Sequence, residues 1–191
     1  MVLSKLANDT KNTIVTVVKG TDDVLTALRG AVKNQIVGTL KDVSDLANAS
    51  MDAVGDVVTG AVEAAGEIGQ SVTTVTKGAV NSALTAVSEL GGNVLKAAAN
   101  AASGAVKGAA EVSGDVAGVA VSAVEGAIEV AGNIGASTAD VAREAAAGAI
   151  KAADTIGKET GQAVRNALMA AASLPRDVIE AVIKGSEGKD N

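Results

Sequence analysis

The side chains with most chemical reach in this sequence are carboxylates and lysines, and the spacings that matter are few. Asp22-Asp23 and the i, i+4 pair Glu63/Glu67 each place two carboxylates where they could share a divalent cation, although a solvated helix face accounts for both. Gly157-Lys158-Glu159 has the Gly-Lys step of a phosphate-binding loop but lacks its upstream glycine and its following Ser or Thr. Asn8-Asp9-Thr10 and Asn48-Ala49-Ser50 match the glycosylation pattern, but Met1 to Asp9 lacks the apolar core of a secretory leader, so both read as chance matches. There is no His and no Cys. That excludes a Ser-His-Asp relay, a thiolate nucleophile, and zinc or haem ligation through imidazole or sulfur. The expectation is a non-enzymatic protein with no cofactor, no metal and no small-molecule substrate.

The positioning elements must be built from unusual material. Apolar residues make up 48% of the 191 residues, about three quarters of them Ala and Val, with no Phe, Tyr or Trp and a single Pro. Aromatic rings normally dominate core energetics, so their absence points to close helix–helix approach or a shallow extended contact. A net charge of -6 and a pI of about 4.7 argue against nucleic acid as a partner, because no basic track or stacking platform is present. The longest charge-free stretch, Gly78 to Ser88, is too short to span a bilayer, so no transmembrane helix and a cytoplasmic location are expected.

The chain repeats. Gly60 to Gly69, Gly104 to Val112, Gly126 to Gly135 and Gly148 to Gly157 read alike, and their starts differ by multiples of 22; weaker copies start at Ser82 and Gly38. Each unit divides into two 11-residue halves. In rows of 11 from Lys5, columns 2, 3, 5, 6, 9 and 10 are mostly apolar, columns 4, 7, 8 and 11 polar, and column 1 mostly Gly or Ser. Eleven residues in three turns advance about 98° each, which gathers the apolar columns into one arc of roughly 160°. A strand would scatter them over two faces. The predicted fold is therefore all-α, with long amphipathic helices from 11-residue repeats, able to fold back into a hairpin or bundle, and no sheet.

The apolar contact face is assigned to Val54, Ala61, Ile68, Val87, Val112, Ile128, Ile134, Ile150 and Ile156. Gly104/Gly108, Gly114/Gly118 and Gly157/Gly161 have the small-xxx-small spacing of close helix contacts. With 22 glycines, at about 1 kcal/mol each in a helix interior, the helix is weak by roughly 20 kcal/mol. It must be ordered by whatever covers its apolar arc. Column 8 is acidic (Asp56, Glu67, Glu89, Glu111) and column 7 mainly basic (Lys11, Lys33, Lys77, Arg165). These are either solvated faces or flanks that pair between parallel neighbours.

Breaks are few. Thr21-Asp22-Asp23 reads as a helix start, Gly91-Gly92-Asn93 as the best internal turn, Pro175 as a kink or end, and Gly185 onward as a disordered tail. The organisation expected is an N-terminal segment 1–15, a repeat region 16–180 and a polar tail 181–191.

Over roughly residues 16–180 the period and polarity resemble the 11- and 22-residue amphipathic-helix class. That class includes the synucleins, exchangeable apolipoproteins, lipid-droplet coats and late-embryogenesis-abundant desiccation proteins. Lys107-Gly108-Ala109-Ala110-Glu111-Val112 is similar to the Lys/Glu/Gly/Val core of a synuclein repeat. The chain departs from apolipoproteins in lacking Pro punctuation and aromatics, and from desiccation proteins in its mean hydropathy of +0.32. The resemblance implies a coat or scaffold on a lipid, organelle or granule surface. The alternatives are a self-associating structural bundle or filament, with itself as partner in a homo-oligomer, and a stress-protective chain that orders conditionally.

Overall fold

Between residues 51 and 157 the helix stops, turns and reverses about every 22 residues. The computed structural model describes residues 2–18, 23–41 and 51–187. Helix covers 87% of the described residues, and no strand occurs among them. The helices are α1 (Val2–Val18), α2 (Val24–Lys41), α3 (Met51–Glu67), α4 (Val72–Glu89), α5 (Val94–Glu111), α6 (Val116–Ile134), α7 (Thr138–Ile156), α8 (Lys158–Ala170) and α9 (Arg176–Glu187). The all-α expectation holds. The repeats fold back on one another as helices of 12 to 19 residues.

One turn, used four times, explains the punctuation. Gly69, Gly91 and Gly135 adopt φ of 72°, 71° and 71°, and Ser113 adopts 52° at the same place in the period. The next N–H closes the helix end: Gln70 to Ala65 O (2.9 Å), Gly92 to Val87 O (2.9 Å), Gly114 to Ala109 O (2.8 Å) and Ala136 to Ala131 O (3.0 Å). This six-residue closure satisfies carbonyls that the helix leaves open, and it needs a left-handed residue, which favours glycine. The next helix is then capped by Ser71, Asn93, Asp115 or Ser137, whose side chain accepts from the N–H three residues on. The Gly91-Gly92-Asn93 turn is thus one of a set. The α7–α8 connection is shorter, passing through Gly157 alone, and Pro175 precedes α9.

Of the expected helix start at Thr21-Asp22-Asp23, Asp23 accepts from the Thr26 N–H at 3.1 Å and caps α2; Thr21 and Asp22 lie outside the described residues, as do Asn48-Ala49-Ser50. The expected tail is helical as far as Glu187, and residues 188–191 lie outside.

Short turns make successive helices antiparallel, and helices two apart are parallel neighbours. The odd-numbered helices pack side by side in one layer and the even-numbered ones in a second. Between the layers lies a core of Ala and Val with a few Leu and Ile. Val54, Ala61 and Val87 are 0% exposed there. The arc that the sequence requires something to cover is covered by the chain's own helices.

Glycine sets how closely parallel neighbours approach. A Cβ built on Gly104 would strike the carbonyl of Gly55, one on Gly148 that of Ala99, and one on Gly60 that of Ala7; one on Gly126 would lie 2.7 Å from the carbonyl oxygen of Lys77. The register is constant. Gly60 and Lys11, Gly104 and Gly55, Gly148 and Ala99, and Gly126 and Lys77 are all in this contact, 49 residues apart in each pair. In the odd layer the contact also carries a hydrogen bond, from Thr59 Oγ1 to Gly104 O at 2.9 Å.

Candidate functional site

The polar groups with unusual environments gather where α1, α3 and α5 run side by side. A surface groove of about 850 Å³ lies there, lined by Asn8 and Lys11 from α1, Asp56, Glu63 and Glu67 from α3, and Lys107 from α5, among others. Helix α3 carries Asp52, Asp56, Glu63 and Glu67 and no basic residue. Lys11 reaches Glu67 at 3.7 Å. Burial pushes the Asp56 carboxyl up to about 6, against the pull of Lys107, and its Oδ2 is buried with no hydrogen-bond partner. Burial also raises Glu63, opposed by Lys11 and reinforced by Glu111 and Glu67.

This arrangement can hold charge, but it offers no nucleophile activated by a base. Among the described residues, no group of three or more metal-ligating side chains converges. Glu63/Glu67, weighed above as a carboxylate pair, sit on the rim of this groove, with Glu67 engaged by Lys11.

At two places the charge columns act as pairing flanks. Lys11–Glu67 and Lys33–Glu89 (2.8 Å) each join column 7 of one helix to column 8 of its parallel neighbour. Lys77 departs from the pattern and meets Glu129, in column 4 of α6, at 3.2 Å.

The residues assigned to the apolar face do not all lie in the core. Val54, Ala61, Val87 and Ile150 are buried, and Ile128 is half-buried against them. Ile68 and Val112 fall in the turns, half-buried, because they follow the last helical residue, and Ile134 is the half-buried last residue of α6. Ile156, at the end of α7, is 43% exposed, which corrects its assignment to the contact face.

The glycines divide similarly. Gly104 and Gly108 lie in the α3–α5 contact, where a Cβ on Gly108 would come within 2.8 Å of Thr59 O. Gly114 belongs to a turn. Gly118 donates its N–H to the capping Asp115 carboxylate at 2.9 Å, and Gly157 has open space around it. None of these last three mediates a helix contact; each serves a helix end.

Gly161 makes room for a cluster that the sequence reading missed. Arg165, only 9% exposed in its side chain, holds both carboxylate oxygens of Asp154 at 2.6 and 2.8 Å, and its Nη2 reaches Ser186 of α9 at 3.4 Å. A Cβ on Gly161 would collide with Asp154. One guanidinium thereby joins α7, α8 and α9. The 11-residue spacing of Asp154 and Arg165 puts them in one column, the only available signal, and an intervening helix end is what lets them face each other.

No family model matches the chain, and no curated protein does. Among solved structures it is similar to the crystal structure of a de novo designed helical repeat protein, DHR7. The TM-score is 0.51 and the identity 22%, over 95% of each chain. At that identity the likeness is one of fold: a packed array of helical repeats.

Among the described helices, α6 (Val116–Ile134) alone is long and apolar enough to cross a membrane. It is packed within the array against α4, α7 and α8.

Proposed function

We propose that this chain is a non-enzymatic structural protein, a helical-repeat scaffold that covers its own apolar face and presents charged helix ridges outward. The observation that carries this reading is the enclosure of the apolar arc between the two layers. Among the described residues, the large hydrophobic side chains left exposed, Val17, Leu95 and Ile156, lie on three different helices. A coat on a lipid or granule surface, of the kind the synuclein- and apolipoprotein-like pattern implies, would require the layers to open. That would give up the burial that offsets the cost of the glycines in the helices from α2 onward. A desiccation protein would be unfolded in dilute solution.

Circular dichroism at low micromolar concentration tests the reading. Full helicity without lipid, lost in one cooperative thermal transition and unchanged by neutral or anionic vesicles, is the expected result. A coil that becomes helical only on vesicles would replace it with the surface-coat reading, and one that does so only on drying with the desiccation reading.

A further inference from the structure

Each close contact between parallel helices is made at a mid-helix glycine, and the residues one turn before and one turn after it lie on the same side of the helix. At Gly104 of α5 these are Asn100 and Lys107, at Gly148 of α7 Glu144 and Lys151, and at Gly126 of α6 Ser122 and Glu129. At Gly60 of α3 both are carboxylates, Asp56 and Glu63. Gly60 lies against Ala7, Thr10 and Lys11 of α1, so the two acids bracket the point where α1 comes nearest to α3. Both line the groove there beside Ala7 and Asn8. Among the described residues neither is in an ion pair: Lys11 pairs with Glu67, and Asp56 Oδ2 is buried without a hydrogen-bond partner. The charges that act on the two acids come from α1 (Lys11 and the amino terminus), from α5 (Lys107 and Glu111) and from α3 itself (Asp52 and Glu67). Helices α2 and α4 also pack on α3 and contribute none.

We propose that α1 is a proton-controlled latch, which closes over α3 when Asp56 and Glu63 hold protons and loosens when both are charged. Among the described residues α1 packs on α2 and α3 only, burying Ala7, Thr10, Ile14 and Val15. It can therefore lift from this edge while α4 to α9 keep their contacts, and lifting returns both carboxyls to water. Closing takes them out of water again without an ion pair for either, which costs far more for a carboxylate than for a neutral acid. The other parallel contacts escape this, because at each of them at least one bracketing residue is neutral or basic. In the closed state burial holds both carboxyls above their ordinary range, Asp56 at about 6. A group raised in the closed state releases its proton on opening, so opening becomes more frequent as pH rises through that value. A chain with no histidine thus carries a group that titrates just below neutrality.

Amide hydrogen exchange of the full chain at pH 7 and pH 5, with the intrinsic rates divided out, reads the latch. The expected result has α1 less protected than α7 at pH 7, with its protection rising at pH 5 by about 10-fold from Asp56 alone. Asp56→Asn/Glu63→Gln keeps the size of the neutral acids, and circular dichroism checks that its helix content is that of the parent. In this variant α1 should be at least as protected at pH 7 as the parent is at pH 5, and the dependence on pH should vanish. Glu144→Gln, at the α5–α7 contact where Lys151 stands on the other side of the glycine, should leave the response of α1 intact. Equal protection of α1 and α7 at pH 7, an α1 protection that does not change with pH in the parent, or a pH dependence that survives in the double variant would each overturn the proposal.

Discussion

Gly104 lies against the carbonyl of Gly55, so that a Cβ on Gly104 would overlap it, and one on Gly55 would come within 2.9 Å of Asn100 O. Two glycines on neighbouring parallel helices thus let α3 and α5 pack at backbone distance. The usual preference of a helix for Ala over Gly is reversed there. Gly104→Ala gains about 1 kcal/mol of helix propensity but must push two helices apart, and overpacking of that kind costs roughly 1–3 kcal/mol or more. The expected net result is a loss of stability in urea. Gly132→Ala, in α6 with open space around it, should instead raise stability by about 0.5–1 kcal/mol. If the two substitutions shifted the urea midpoint in the same direction, the close-approach account would fail.

The repeated turn makes a paired prediction. Gly91 has φ of 71°, and a Cβ there strains the backbone, so Gly91→Ala should lower stability by about 1 kcal/mol. Ser113 occupies the same place in the next turn with φ of 52°. Ser113→Gly relieves its strain and should raise the thermal midpoint, by an amount comparable to the fall at Gly91. Melting curves of the two single variants check both signs.

These turns also show how much was legible. The 22-residue period, the apolar columns and the all-α outcome follow directly from the sequence. Apart from Gly91-Gly92-Asn93, the turns did not, because stacking the chain in rows of 11 superimposes two different structural positions. Ser71, Asn93, Asp115 and Ser137 cap helices, whereas Gly60, Gly104, Gly126 and Gly148 sit mid-helix at close contacts; both sets fall in the same column and blur into "Gly or Ser". Rows of 22 separate them. The cross-helix pairs Lys11–Glu67 and Lys33–Glu89 were legible as opposite flanks of parallel helices. The α1–α3–α5 groove was not, since it depends on which helices become neighbours and how far they stand apart. For the same reason, periodicity could not reveal that one carboxylate oxygen of Asp56 is buried.

The groove gives the chain an unusual pH response. Asp56 titrates near 6 in the fold against an ordinary value of 3.8, and Glu63 is raised as well. A carboxyl raised by burial is destabilising when charged, and the folded state binds more protons than the unfolded one between the two values. From these two groups, stability falls as pH rises from about 4 through about 6 and is lowest above that. Acidifying from neutrality towards pH 5 should therefore recover stability at this site. Asp56→Asn removes the larger response. Urea midpoints at pH 7 and pH 5 should lie closer together in the variant than in the parent, and the variant should be the more stable of the two at pH 7. A parent no more stable relative to the variant at pH 5 than at pH 7 would rule out the burial account.

One polar side chain ties the last helix to the two before it. Arg165 is nearly enclosed, holds Asp154 with both terminal nitrogens and touches Ser186 of α9, while Leu174 and Ile179 supply the buried apolar contacts of the terminal segment. Arg165→Met keeps much of the packing of the stem but removes the charge-assisted hydrogen bonds. It leaves the half-exposed Asp154 without its bidentate partner. Hydrogen bonds to charged groups contribute about 1.5–3 kcal/mol, and the half-exposed carboxylate places the expected loss at the lower end, about 1–2 kcal/mol. The loss should be local. Hydrogen exchange at amides of α9 and of the C-terminal end of α7 should accelerate, with α3 to α5 unchanged, because a terminal repeat opens without the rest of the array. Ser186→Ala, which removes only the long third contact, should accelerate α9 alone and by less. Uniform acceleration along the whole chain in Arg165→Met would show that the array unfolds as one unit and that α9 is no separately held end.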